Sequence, residues 1–365
     1  MSSLERGDEM IADLLAVSDV RWRRFLDRTP HDVYHLPEYC CVAGHHEGGE
    51  PVAFYAEEDG QAVLVPMLLR ELPPELGAPP GWRDATSPYG YPGPIATLGT
   101  QPDVLRASLR ALRALAQEHA IVSAFLRLHP FYTVPVALLA EAGTVVHHGG
   151  VVYVDLTKSP DEWRAETRLD HQRNLKRLIQ LGYSAEMDDW DAYPASCEVY
   201  WATMRRHSAD SFYYFSDEYF SRLRRMLGQS VHLCSVRGPA GDVAASGLFL
   251  LVGGIAEYHL GGTADAHFAK APSKLMFDFV RRWAKDRGAT LLNLGGGVAG
   301  AADSLYRFKS GFSPLSADYH TVRIVFDAPR YHALVEVSRA LSAADDTAEA
   351  FFPAYRRRSN ITIGV

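Results

Sequence analysis

A lysine set among aromatic residues, Tyr306-Arg307-Phe308-Lys309-Ser310-Gly311-Phe312, is the stretch of this chain best suited to chemistry. It follows a glycine-rich run, Leu294-Gly295-Gly296-Gly297, and reads as a short loop after a buried strand. Lys309 is then a fixed cation. A cation so placed stabilises negative charge that develops in a reaction, and lowers the barrier by roughly 3–4 kcal/mol if it acts like one oxyanion-hole donor. Asp303 is a conceivable base, although acidic residues in such loops also serve as turn or cap residues.

Further cations flank this string in the sequence. In Thr167 to Arg177, the residues Arg168, Gln172 and Lys176 fall at i, i+4 and i+8, with Arg173 and Arg177 in the neighbouring row, so one side of a helix is basic. Such a side suits contact with phosphate, and equally an ordinary solvated face. Lys270 and Lys274, in the loop Ala266 to Lys274, are able to hold a phosphate as point charges. Glycines 295–297 lack the Lys-Ser/Thr of a P-loop and the spacing of a dinucleotide fingerprint. The fifteen histidines and four cysteines show no metal spacing, so no metal is expected.

The elements that must position these residues form the same order twice. In the first half, a strand from Ala62 to Leu68 and a strand-to-loop segment from Ser87 to Ile95 precede a helix from about Asp103 to His119, then a strand from Ile121 to Leu128. Val104, Leu105, Leu109, Leu112 and Leu115 give that helix its apolar stripe. In the second half, strands Val243 to Val252 and Ile255 to Thr263 precede a helix from Lys274 to Arg287, then a strand from Thr290 to Leu294. Ser159-Pro160-Asp161-Glu162 marks a helix start, and that helix is expected to run to Leu181 and stop at Gly182. Further helices are expected over Ala192 to His207, Ser216 to Leu227 and Arg330 to Ala344. Residues 1–150 and 151–345 are the expected domains, with 346–365 as a tail.

Composition sets the class. The chain has 365 residues, 47% of them hydrophobic, which suits two folded domains. Its longest apolar runs are too short to span a bilayer and its opening residues show no signal-peptide core, so a reduced cytoplasm is the expected compartment. The net charge is −7. Residues 1–150 hold 11 Arg and no Lys against 19 acids, while the remainder holds 26 basic and 25 acidic residues. A polyanion would prefer the second half.

The residues Tyr306, Phe308, Lys309, Gly311 and Phe312 resemble the Tyr/Phe-x-Phe-Lys-x-Gly-Phe string of the Fem family, whose members pass aminoacyl groups from aminoacyl-tRNA to an amine. The resemblance implies an α/β fold of two tandem acetyltransferase-like (GNAT) domains, each a mixed, strongly twisted sheet flanked by helices, with a cleft between them. It implies that Lys309 stabilises the donor ester during attack and that Phe308 shapes the site. Tyr258, in Tyr258-His259-Leu260-Gly261-Gly262, is similar to the family's Tyr-x-x-Gly-Gly segment facing the acceptor. His259 and Glu257 would then point to the opposite sheet face. Ser87-Pro88-Tyr89-Gly90-Tyr91 resembles a segment bordering the acceptor cleft, which Tyr89 and Tyr91 would line. Val33 to Tyr39 is like the early Gln-Ser-x-x-Trp segment, but the basic residue that cell-wall members carry soon after it is missing.

Ordinary acetyltransferases of this fold grip coenzyme A with an Arg/Gln-x-x-Gly-x-Gly/Ala loop, whose backbone N–H groups reach the pyrophosphate. Here that loop is Ala266 to Lys274 and contains no glycine. The expectation is therefore an aminoacyltransferase with no bound cofactor. Its co-substrate is aminoacyl-tRNA, and its acceptor is an amine on a specialised metabolite, as in antibiotic biosynthesis, or on a peptidoglycan precursor. Two other readings stand: an acyl-CoA-dependent N-acyltransferase and a non-catalytic metabolite-binding protein.

Overall fold

A computed structural model describes residues 10–132, 134–341 and 351–357. The chain forms two compact units. Unit 1 comprises residues 1–30, 34–147 and 320–365, and unit 2 comprises 31–33 and 148–319.

Unit 1 opens with β1 (Ile11–Ala16), α1 (Val20–Leu26), α2 (Pro37–Glu47), β2 (Glu50–Glu58), β3 (Gln61–Glu71), β4 (Arg83–Thr86) and β5 (Ile95–Ala96). It continues with α3 (Pro102–Glu118), β6 (Ile121–Arg127) and α4 (Val136–Ala142). The chain passes into unit 2 within β7 (Thr144–Asp155) and builds α5 (Pro160–Glu166), α6 (Leu169–Gln180), β8 (Ser184–Met187), α7 (Tyr193–Arg206) and α8 (Asp217–Leu227) there. Then come β9 (Val231–Arg237), β10 (Val243–Val252), β11 (Ile255–Thr263), α9 (Ser273–Asp286), β12 (Leu291–Gly295) and α10 (Ser304–Lys309). It returns to unit 1 within β13 (Ser316–Val325), and α11 (Ala328–Leu341) follows.

The two sheets share one plan. In unit 1 the order is β1-β2-β3-β4-β6-β13, with β5 paired to β3. The first four strands are antiparallel, β6 is parallel to β4, and β13 is antiparallel to β6. In unit 2 the order is β8-β9-β10-β11-β12-β7, again four antiparallel strands, a parallel fifth and an antiparallel sixth. A parallel neighbour cannot be reached by a tight turn, so each unit needs a crossover helix, α3 in one and α9 in the other.

Turn chemistry fixes the central hairpins. Asp59-Gly60 joins β2 to β3 with φ of 50° and 76°, and Gly253-Gly254 joins β10 to β11 with φ of 60° and 81°. Two consecutive left-handed residues form the hairpin turn whose twist matches the strands, and Asp-Gly and Gly-Gly adopt it at low cost. Alternating apolar residues then fill each core. In unit 2 Phe249, Met276, Phe277, Trp283 and Phe312 are buried together, and in unit 1 Phe54, Met67, Leu112, Leu126 and Ile324 are.

Two expected elements differ. The helix expected from Ser159 to Leu181 is two helices. Ser159 and Glu162 form the reciprocal capping box, but α5 stops at Glu166 and Thr167 is extended. The break is tertiary, because the Arg168 N–H donates to the Gly311 carbonyl (2.9 Å) instead of continuing the helix. Lys309 lies on the last turn of α10 rather than on a loop. Of the helix expected to reach Ala344, residues beyond 341 lie outside those described, as does the tail except for 351–357. Those residues belong to unit 1, where the Asp84 carboxylate is buried against Arg70 (2.9 Å), Arg356 and the Tyr355 hydroxyl (3.2 Å).

Candidate active site around Lys309

Asp303 starts the short helix that carries the lysine. Its carboxylate accepts the N–H groups of Tyr306 (2.8 Å) and Val298 (3.0 Å). Burial alone would raise its pKa, but the N–H groups of Tyr306, Val298 and Leu305 and the charge of Lys309 outweigh burial and hold it below the usual value. The residue read as a conceivable base is thus the cap of α10, with both carboxylate oxygens engaged. The preceding glycine run serves the same cap. A Cβ on Gly297 would lie 2.4 Å from Asp303 Oδ1 and 2.0 Å from the Ala301 carbonyl.

Lys309 ends α10 and turns inward. Its side chain is 6% exposed, and Nζ donates to the Gly296 carbonyl (2.7 Å) while sitting 5.8 Å from the centre of the Tyr258 ring. Burial pushes the ammonium down to about 7, against the opposing pull of Asp303. One of its three N–H donors is used by Gly296, which leaves two to meet a substrate oxygen.

Aromatic rings build the wall around it. Phe277 of α9 lies 4.8 Å from Tyr258, 5.9 Å from Phe308 and 5.5 Å from Phe312, centre to centre. His171 of α6 closes the far side, 4.7 Å from Phe312 and 5.5 Å from Phe308. Its ring fills the place where Gly311 has no side chain, since a Cβ there would come within 2.2 Å of it. That contact explains the glycine of the Lys-x-Gly-Phe string. Burial, with the nearby Lys274 charge, depresses His171 to about 4, so the ring is neutral. Its Nε2 faces the Arg168 guanidinium (3.1 Å), and its buried Nδ1 has no hydrogen-bond partner.

Lys309, Phe308, Tyr306 and Tyr258 are therefore gathered in one aromatic assembly, Tyr306 and Phe308 packing against the same core as Tyr258. Register is irregular at Tyr258. Phe249 pairs with Tyr258 and Leu248 with Leu260, so His259 is the extra residue of a bulge. Tyr258 joins the aromatic wall, while His259 and Glu257 take other partners. His259 meets the Tyr219 hydroxyl (2.8 Å), and Glu257 accepts from Asn293 (2.9 Å). Burial, reinforced by Asp32, pushes the Glu257 carboxyl well up.

The cations lie around the entrance to α6 and α9. Arg168 pairs with Asp170 (3.2 Å), and Lys274 approaches the same carboxylate (3.7 Å). Arg173, Lys176 and Arg177 are exposed and make no ion pair among the described residues. Lys270 is exposed at the end of a 3-10 turn, Asp265–Lys270, and its carbonyl accepts the Asn174 amide of α6 (3.1 Å). The loop has no glycine, yet Ala271 holds φ at 53°. Tyr89 and Tyr91 belong to unit 1. The Tyr89 N–H donates to the half-buried Glu47 (2.7 Å), and Tyr91 packs edge-on to Tyr34 (5.8 Å) and His129 (6.4 Å).

Sequence reasoning passed over His171 and Phe277. His171 carries no local signal, because its partner Gly311 lies far away in the chain. Phe277 reads as one more core residue of an amphipathic helix.

Residues 165–310 match the family model of the acetyltransferase (GNAT) domain. No curated protein is significantly similar to the chain. Among solved structures, FemX superposes with a TM-score of 0.67 at 13% identity, covering 88% of this chain and 99% of that one. L-PGS from Bacillus licheniformis gives 0.54 at 15% identity, covering 88% and 97%. The C-terminal domain of a putative lysylphosphatidylglycerol synthetase from Agrobacterium fabrum gives 0.51 at 16%, covering 88% and 95%. At these identities the likeness is one of fold. The chain is similar to FemX in fold over most of its length, and its residues 165–310 match the acetyltransferase (GNAT) domain.

Proposed function

We propose that this chain forms amide bonds by transferring an aminoacyl group from aminoacyl-tRNA to an amine on a specialised metabolite or a peptidoglycan precursor. The observation that carries the reading is Lys309, a buried cation with two unused donors inside an aromatic wall. The exposed and unpaired basic residues of α6, whose first residues dock on the turn after Lys309, add to it. The likeness in fold to FemX supports it as well.

In this reading the acceptor nitrogen attacks the ester carbonyl and a C–N bond forms. The carbonyl oxygen takes the negative charge and meets the Lys309 ammonium. The C–O bond to the tRNA ribose then breaks, and the ribose hydroxyl leaves with the proton that the amine gives up. The aromatic wall excludes water, which strengthens the charge interaction and protects the ester from hydrolysis. Asp303 takes no part in proton transfer and holds α10 in place. Lys309, Phe308, Tyr306 and Tyr258 form the reacting centre, Arg168, Arg173 and Lys176 meet phosphate, and Tyr89 and Tyr91 are acceptor contacts.

A second reading, N-acyl transfer from an acyl-CoA, draws on the match to the acetyltransferase domain and on the left-handed Ala271 before α9, with Lys270 and Lys274 beside it. The experiment that separates the two is transfer from a pool of radiolabelled aminoacyl-tRNAs to an amine-bearing extract, with and without ribonuclease, beside a panel of acyl-CoAs. Ribonuclease-sensitive transfer is expected. Transfer from acyl-CoA alone would replace the first reading by the second.

A further inference from the structure

The loop before α9 is pinned by side chains at three points. His267 is held between the Tyr183 hydroxyl (2.7 Å) and the Asp242 carboxylate (2.7 Å). Asp265 is ion-paired to Arg206 of α7. The Lys270 carbonyl is tied to Asn174 of α6. A loop so fixed presents chosen side chains, among them the large apolar Phe268, whose residue is 54% exposed.

Phe268 is not a stray apolar side chain. The Arg206 guanidinium stacks on one face of its ring, 4.4 Å from the centre. Arg206 is itself locked by Asp265 and by the Thr203 hydroxyl (3.2 Å). One ring face is therefore backed by a fixed cation. Two residues on, Lys270 is exposed and unpaired among the described residues, and across the Asn174 bond lie the unpaired Arg173, Lys176 and Arg177 of α6. A pinned, exposed aromatic with unpaired cations on the same loop and on the helix tied to it is the chemistry of a nucleobase platform, because every base offers a π-face and every nucleotide brings a phosphate.

We infer that Phe268, backed by Arg206, stacks a nucleobase of the acyl donor while Lys270 and the basic side of α6 hold the neighbouring phosphates. Side chains of this loop thus take over the grip that a glycine loop gives through its backbone. The inference rests on the chain being a transferase with a nucleotide-bearing donor. It holds for either source of the base, the unpaired 3′ end of an RNA or the adenine of coenzyme A.

The test compares the wild type with Phe268→Ala and Phe268→Trp in the full chain. Binding of coenzyme A and of an uncharged RNA hairpin with a single-stranded CCA end is measured by titration calorimetry, beside steady-state transfer. Loss of one stacked base is expected to weaken binding about tenfold in Phe268→Ala and to raise the KM for the donor, with both restored in Phe268→Trp. Weakening confined to the RNA identifies an RNA base, and weakening confined to coenzyme A identifies its adenine. The second result keeps the platform while overturning tRNA dependence. Unchanged binding of both ligands in Phe268→Ala overturns the platform whatever the donor proves to be. Because Phe268 is exposed, the substitution removes no core packing, and an unchanged melting temperature confirms that any loss is a loss of contact.

Discussion

Units 1 and 2 share a sheet plan and differ in what they bury. Unit 1 buries a satisfied polar network, in which Asp84 meets Arg70, Arg356 and Tyr355, and Tyr355 in turn meets Ser123 (2.8 Å). Unit 2 buries groups whose charge is disfavoured: Lys309 is pushed down to about 7, His171 to about 4 and His259 to about 3, each chiefly by burial. Burial shifts groups in unit 1 as well, lowering Arg70 and raising Glu47, but there the shifted groups are paired, Arg70 with Asp84 and Glu47 with the Tyr89 N–H, whereas Lys309 keeps two N–H donors unused. After its parallel fifth strand, unit 2 spends the following residues on a glycine run and the short helix α10, which places a cation among rings. In the proposed reading the reacting centre lies in unit 2.

The comparison is broken most severely if Lys309→Ala retains turnover. The expected loss in kcat is about 10²–10³-fold, as for removal of one oxyanion donor, with the fold intact by circular dichroism. Next comes Gly311→Ala, whose Cβ would strike the His171 ring and push the Lys309 turn aside; a loss of about 10²-fold follows if the site shifts by about 1 Å. His171→Ala in the same chain makes room for that Cβ and should recover part of the rate. In unit 1, Arg356→Ala removes a charged partner of buried Asp84 and should lower the unfolding free energy by about 2 kcal/mol in urea titration, with kcat of the folded protein unchanged. A loss of turnover there would show that unit 1 shares the chemistry.

Acidity sharpens the contrast more gently. As the cationic form of Lys309 is the useful one, kcat/KM should fall as pH rises through about 7, and Lys309→Arg should flatten that limb. A rise instead would assign the neutral amine as a base. His171 and His259 are neutral in the folded chain and gain protons on unfolding below their ordinary 6.5. The unfolded state then binds more protons, so stability should drop as pH falls from about 6.5 toward 4, and His171→Phe should reduce the drop. The smallest effect belongs to Arg173→Gln with Lys176→Gln. A several-fold rise in KM for the donor and a shallower salt dependence are expected, with kcat unchanged.

The strands of unit 2 were legible because their signals are local. Val243 to Val252 and Ile255 to Thr263 have the bounds of β10 and β11, set by an apolar run and a Gly-Gly turn between them. The Lys309 string reads as a loop and not as a helix, since six residues are too few to show a period and the Asp303 cap is all that announces α10. The break at Thr167 was hidden for another reason: Ser159 to Leu181 is good helix sequence, and only the distant Gly311 carbonyl interrupts it. The role of residues 320–325 as the sixth strand of unit 1 depends likewise on partners nearly two hundred positions away. Local propensity shows elements, and it leaves unseen the contacts that bend them.

The most direct test is a single-turnover reaction with one pre-charged, radiolabelled aminoacyl-tRNA and an amine acceptor, followed by rapid quench for the wild type and Lys309→Ala. Rapid, ribonuclease-sensitive amide formation in the wild type, slowed at least a hundredfold in the variant with the tRNA still bound, is the predicted result. Equal rates in the two proteins, or transfer only when an acyl-CoA replaces the charged tRNA, would contradict it.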